Sequence, residues 1–140
     1  AKDLLQGRFM LLNGDDIHGA KMLRDAVDAE HAIIAAVSDH PQDFGVLMLK
    51  EDGMLDGIIE KPANPPSNLI NTGGYVLDTH IFEYEVELSS DSGELYVTDM
   101  FTQYAQDYPV AVVAQELWLP VGKPEDIASA EAQLCPEKQG

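Results

Sequence analysis

The apolar residues of this chain fall into short blocks separated by turn-forming residues. Phe9–Leu12 and Ala32–Val37 are uninterrupted apolar runs, the pattern of strands buried on both faces. Between them Ile17, Ala20, Leu23 and Val27 recur at helical spacing within residues 17–29, so one apolar helix face is expected there. Strand, helix and strand in that order predict a βαβ unit.

The organising stretch is 43–78. The apolar run 46–49 leads into Glu51-Asp52-Gly53. Asp-Gly signals a hairpin, because a primed turn needs positive φ. Residues 55–59 make the return strand, which ends at Glu60-Lys61-Pro62. Pro62 withdraws a backbone donor and stops pairing, and Pro65 and Pro66 keep the following connection extended. Asn71-Thr72-Gly73-Gly74 then brings bare backbone to the start of a strand over 75–77.

Further on, a short helix is expected over 79–85, resting on Ile81, Phe82 and Tyr84, and then a loop over 89–94. Thr98 reads as the N-cap of a helix through residue 105, with Met100, Phe101 and Tyr104 inward. Residues 109–114 read as a strand. Residues 117–121 read as a short edge strand interrupted by Pro120. Pro124 opens a last helix with Ile127, Ala130 and Leu134 on one face. The sequence predicts a single mixed α/β domain over 1–134, with a frayed tail over 135–140.

The 140 residues suffice for one real core. Asp and Glu number 25 against 8 Lys and Arg, a formal net charge of −17. That excludes nucleic acid and anionic membrane surfaces as expected partners. The acids are spread along the chain, as suits solubility. Cys135 is the lone cysteine, so neither a disulfide framework nor a cysteine-rich zinc site is expected. No apolar run approaches the roughly 20 residues of a membrane helix, and no signal peptide pattern is present; a cytoplasmic location is expected. The chain opens on Ala1-Lys2-Asp3 and enters a strand almost at once, as expected of the middle of a longer protein or of a processed or trimmed piece.

Asn13-Gly14-Asp15-Asp16 follows the first strand, where open α/β sheets place ligands. The acidic pair Asp15-Asp16 is placed to hold a metal ion such as magnesium, which takes oxygen ligands; alternatively, Asp15 or Asp16 caps the next helix. His18 reads either as part of a mixed metal site or as a solvated surface residue. His31, His40 and His80 have no site-forming spacing. Glu60 and Lys61 at one strand end, facing glycines, would seat a small polar ligand; each also reads as a solvated surface charge. Consecutive strand residues point to opposite faces, so the pair can serve one ligand only through a bend before Pro62, and a bend is expected. Asn71 can donate and accept. Gly73 and Gly74 permit close backbone approach or a strand bulge.

The order of these motifs resembles the catalytic domain of sugar-phosphate nucleotidyltransferases. Leu12-Asn13-Gly14-Asp15 is similar to the family's L-x-G-D, Phe44-Gly45-Val46 to its (Y/F)-G-V, Glu60-Lys61-Pro62 to its E-K-P, Asn71-Thr72-Gly73 to its N-(A/T)-G, and 118–126 to its W-x-D-x-G-(T/K)-P-x-D. The resemblance implies a Rossmann-like mixed sheet with flanking helices, forming the C-terminal part of a nucleotide-diphospho-sugar transferase domain. It implies nucleotidyl transfer from a nucleoside triphosphate to a sugar 1-phosphate, with Mg2+ as cofactor. By the same resemblance Asp15 is the catalytic and metal-binding carboxylate. Lys61 is the catalytic and phosphate-binding cation. Gly45, Glu60, Asn71, Thr72 and Gly73 hold the sugar.

Two departures qualify this reading. The family's glycine-rich G-x-G-T-R-L-x-P-x-T opening is absent from the sequence, so a sugar-binding portion, inactive alone, is expected. Pro120 stands where the closing segment has a metal-binding Asp, so either Asp126 or substrate phosphates and water compensate, or metal binding is weakened. Two other readings stay open: a non-catalytic sugar-phosphate-binding or regulatory module, and a structural domain whose edge strands build a homo-oligomer.

Overall fold

A computed structural model describes residues 2–85 and 96–135; the expected loop over 89–94 and the tail from residue 136 lie outside them. In chain order the elements are β1 (Phe9–Leu12), β2 (Asp16–His18), α1 (Ala20–Asp28), β3 (Ala32–Val37), β4 (Gly45–Leu49), β5 (Leu55–Glu60), β6 (Leu69–Leu77), α2 (Val97–Asp107), β7 (Ala111–Ala114), β8 (Trp118–Pro120) and α3 (Pro124–Leu134). Two short 3-10 turns, Pro41–Asp43 and Thr79–Glu83, join them.

The main sheet runs β5-β4-β6-β3-β7, with β1 also on β6. Only β3 and β7 pair in parallel; the other ladders are antiparallel. β3 lies along one edge of β6, so β4 at Ile70 and β1 at residues 74–77 share the other edge. The mixed sheet with flanking helices matches the expected fold class. The βαβ unit is modified: β1 and β3 both run antiparallel to β6, and therefore parallel to each other, but β6 lies between them.

β3 explains its own composition. Ile33 and Ala35 face a core shared with Phe101 and Tyr104 of α2 and with Leu47, Leu55 and Tyr75. Ala32 and Ile34 face the opposite core, with Met22 and Ala26 of α1. A strand between two helical layers must be apolar on both sides. β1, read the same way, is different. It lies against one end of β6, and Leu11 and Leu12 remain 42% and 38% exposed.

Several boundaries move for identifiable reasons. Ile17 belongs to β2, and α1 starts at Ala20 with Gly19 as N-cap and no side-chain cap, so neither Asp15 nor Asp16 caps it. Its buried residues are Met22 and Ala26, while Val27 is exposed. The α2 cap is Tyr96; Thr98 lies inside the helix and bonds elsewhere. Phe101 and Tyr104 are buried as expected. α3 opens on Pro124, but only Ala130 of its expected face is buried; Ile127 and Leu134 are about half exposed. β8 pairs with β2 in a separate two-stranded ribbon, with Pro120 opposite Asp16. The Asp52-Gly53 hairpin forms, but with a five-residue loop: Lys50 N–H donates to Met54 O, Gly53 N–H to Lys50 O, and only Gly53 takes positive φ.

The third strand of the organising stretch also starts early. β6 begins at Leu69, and Asn71-Thr72-Gly73-Gly74 lies in its middle. Opposite β3 the register jumps from Ile34↔Gly74 to Ala35↔Asn71, so Thr72 and Gly73 have no partners in the ladder. They form a bulge, with Gly73 at φ +73°. A Cβ on Gly73 would overlap the Asn13 side chain, whereas one on Gly53, at φ +83°, would meet nothing.

This contrast can be tested by urea denaturation. Gly53→Ala should cost about 1 kcal/mol, the left-handed term alone. Gly73→Ala should cost about 1–3 kcal/mol more, because overlap is added.

Candidate functional site

One cavity of about 310 Å3 opens beside the bulge. The seven residues singled out in the sequence, Asp15, Gly45, Glu60, Lys61, Asn71, Thr72 and Gly73, all line it. They come from four places: the β1–β2 connection, the start of β4, the end of β5 and the bulge of β6. Asn13, Asp16, Asp43, Phe44, Trp118 and the Pro120-Val121-Gly122 turn complete the wall.

Lys61 is what lets β5 serve this cavity with two successive side chains. Its φ is +42°, the only positive value outside glycine among the described residues. Its N–H still donates to Phe44 O at 3.0 Å, so the turn happens as the ladder ends. A left-handed residue breaks the alternation of a strand, and Glu60 and Lys61 both reach the cavity. Pro62 then prevents further pairing. The bend expected from sequence is present.

Glu60 is set by its neighbours. Gly45 pairs with it across the ladder, and a Cβ on Gly45 would come within 3.0 Å of Glu60 Oε2. Thr98 Oγ1 donates to that same oxygen at 3.4 Å. Burial raises the Glu60 pKa above 4.5. Lys61 and the Thr98 bond pull it down without cancelling that effect, and Asp99 adds to the rise. Thr98 was missed in the sequence because a Thr before a helix ordinarily reads as a cap. α2 is itself seated closely on β5: Thr102 Oγ1 accepts from Ile58 N–H at 3.0 Å, and the Thr102 methyl lies where Gly57 has no side chain.

On the bulge, the Asn71 amide is held at both ends. Gly73 N–H donates to Asn71 Oδ1 at 3.0 Å, and Asn71 Nδ2 donates to Tyr75 OH at 2.6 Å. Tyr75 is 3% exposed and stacked on Phe101 at 3.9 Å. Burial pushes its pKa up to about 12 against the Asn71 bond, and the charges of Glu60 and Asp16 add to the rise. Thr72 turns away from the cavity through its hydroxyl, which donates to Ile34 O at 2.9 Å.

The opposite wall is acidic. Asp16 accepts from Trp118 Nε1 at 2.9 Å. Burial raises its pKa, the Trp118 and Asn13 bonds oppose that, and Asp15 adds to the rise. Phe44 meets Trp118 edge to face. Asp126, the expected substitute for the residue replaced by Pro120, instead accepts from Lys123 N–H at 2.9 Å at the start of α3 and does not line the cavity. His18 is half-buried, faces Gln115 and does not line the cavity. His31 and His80 flank Asp78, away from the cavity.

Four carboxylates, Asp15, Asp16, Asp43 and Glu60, thus face one ammonium, Lys61. No cluster of three or more His, Cys, Asp or Glu among the described residues could cage a metal. This donor set fits a magnesium ion held by one or two carboxylates and by phosphate oxygens, not one bound by protein alone.

A family model described as nucleotidyl transferase matches residues 1–137. The chain is 46% identical over 100 residues to a bifunctional sugar-1-phosphate nucleotidylyltransferase/acetyltransferase of Sulfurisphaera tokodaii, covering 70% of this chain and 25% of that protein. It is 34% identical over 136 residues to the bifunctional protein GlmU of Methanocaldococcus jannaschii, covering 96% of this chain and 33% of that protein. A crystal structure from Bacillus anthracis, described as a glucose-1-phosphate thymidylyltransferase with sucrose, shares the fold with a TM-score of 0.76 at 24% identity, over 94% of this chain and 56% of that one. The chain therefore spans a quarter to a third of these curated relatives.

Left-handed strain at Lys61 predicts an order of stabilities. Lys61→Gly should be about 1 kcal/mol more stable than Lys61→Ala in urea denaturation, although both lose the same charge. Equal midpoints would show that the backbone there carries no strain.

Proposed function

The chain belongs to the nucleotidyl transferase family, and on that premise we propose that its cavity holds the sugar 1-phosphate during transfer of a nucleotidyl group from a nucleoside triphosphate, yielding nucleotide sugar and pyrophosphate. The observation that carries this reading is the left-handed Lys61, which turns a carboxylate and an ammonium from one strand end toward the same space. Lys61 pairs with the sugar phosphate as a compact cation. Ionised Glu60 accepts from sugar hydroxyls. Asn71 presents its remaining N–H and lone pair, and Gly45 and Gly73 let backbone approach the ring. Thr72 is assigned to the same sugar wall through the backbone it holds.

Asp15 is assigned the catalytic and metal-binding role at the mouth. Magnesium, when bound, neutralises and orients phosphate charge. Such transfers depend on positioning and charge stabilisation more than on covalent help. The wall has an excess of three negative charges over Lys61 at neutral pH, so a phosphate dianion is repelled unless a divalent cation enters with it. The glycine-rich nucleotide motif is not in this sequence, and this chain is accordingly assigned the sugar-phosphate half. A second reading, binding without transfer, is favoured by Pro120, which offers no ligand opposite Asp16.

Calorimetry with glucose 1-phosphate tests the proposal. Binding should require Mg2+ and should weaken at least about tenfold in Lys61→Ala, as loss of a charged hydrogen bond implies. Binding that is unchanged by this substitution would remove the site.

The pH dependence has a definite sign. Burial raises the Glu60 pKa from its ordinary value in the folded chain, so its neutral form sets in at higher pH than for a free glutamate, and hydroxyl recognition fades as pH falls through that raised value. Glu60→Gln should bind more weakly at neutral pH and lose this component. The phosphate's own titration near pH 6 should persist in both proteins.

A further inference from the structure

Behind the sugar wall lies a buried polar chain that the proposed chemistry does not use. Gln115 follows β7, is 8% exposed, and extends the parallel ladder by donating its N–H to Ala35 O at 2.8 Å. Its Nε2 donates to Thr72 Oγ1 at 2.8 Å. Thr72, 1% exposed, passes the bond on by donating to Ile34 O. That carbonyl belongs to the residue at which the β3–β6 register jumps. Both atoms of the Gln115 amide also lie near His18 Nδ1, Oε1 at 3.4 Å and Nε2 at 3.3 Å. Among the described residues His18 Nε2 is buried without a hydrogen-bond partner, so the ring meets this chain through Nδ1.

We propose that Gln115 is a positioning residue that locks the Thr72-Gly73 bulge to β3 and to the β2 ribbon. The inference rests on the sugar-phosphate reading and assigns that site a support outside it. The bulge has no ladder partners of its own, and a segment without ladder bonds keeps one shape only if side chains hold it. Asn71 and Asn13 hold it from the cavity side, through Gly73 N–H and Gly73 O. Gln115 holds it from the buried side. The same amide faces His18, one residue beyond Ile17 and two beyond Asp16, so the acidic wall and the sugar wall share one fastening.

The test uses the full chain with Gln115→Met, similar in shape but without an N–H, and Thr72→Val, which removes the same bond from the other end. Hydrogen exchange is followed by NMR, and glucose 1-phosphate binding with Mg2+ by calorimetry. In both variants the Gly73 amide should exchange at least about tenfold faster while the β4–β5 hairpin keeps its protection, since one hydrogen bond contributes about 1 kcal/mol or more when buried. Binding should weaken about fivefold to tenfold, Gln115→Met should add nothing in a Thr72→Val background, and Thr72→Ser, which keeps the hydroxyl, should retain wild-type Gly73 exchange. Unchanged Gly73 exchange in Gln115→Met, or additive losses in the double variant, would overturn the proposal. Should Gln115→Met not fold, Thr72→Val against Thr72→Ser decides the same question. Absence of glucose 1-phosphate binding in the wild type would count against the sugar-site reading, while Gly73 exchange would still decide the role of Gln115.

Discussion

The structure depends on one departure from regular pairing, the two-residue bulge in β6. β6 is paired along one edge with β3 and along the other with β4 and β1 in succession. A strand flanked so completely would ordinarily present no backbone to a ligand, because its polar groups are consumed by the ladders. Releasing Thr72 and Gly73 from the ladders opens room in the middle of the sheet without giving up pairing above or below it, while the Gly73 N–H and C=O are taken up by Asn71 Oδ1 and the Asn13 N–H. Gly73 alone meets both demands of the position: a left-handed φ and no Cβ beside Asn13.

A second constraint is electrostatic. The cavity collects carboxylates in a chain already at −17, and two of them, Asp16 and Glu60, are held above their usual pKa chiefly by burial. Such a wall suits hydroxyl-rich, cation-accompanied ligands and opposes bare anions. Lys61 is therefore placed at some conformational cost where it can do most, at a strand end that proline keeps free of further pairing.

Much of the site was legible in the sequence because its motifs are local. Glu60-Lys61-Pro62 states a strand end and its stop, and the alternation argument already demanded a bend there. Asp52-Gly53 states a hairpin, though not the length of its loop. What was not legible depends on partners far along the chain. The Phe9–Leu12 run is as uninterruptedly apolar as Ala32–Val37, yet the second lies between two helices and the first at a sheet margin; apolarity alone does not say how many sides are covered. Thr98 carries a cap signal that tertiary contact with Glu60 overrides. Gln115 and His18 have no motif at all, and their meeting follows only once β7 has been laid beside β3 and β2 beside β8. The apolar spacing in α3 is genuine, but two of the three residues of that face, Ile127 and Leu134, are exposed.

The Asn71 amide has one further implication. With its oxygen turned to the Gly73 N–H and its nitrogen to the Tyr75 phenol, rotating the group by half a turn would set two N–H groups against each other. The amide is thus a fixed arrow rather than a pivot. A guest with a lone pair where a proton donor belongs meets a mismatch that the host cannot repair by turning, so handedness and hydroxyl pattern are sorted by orientation before strength of attachment enters.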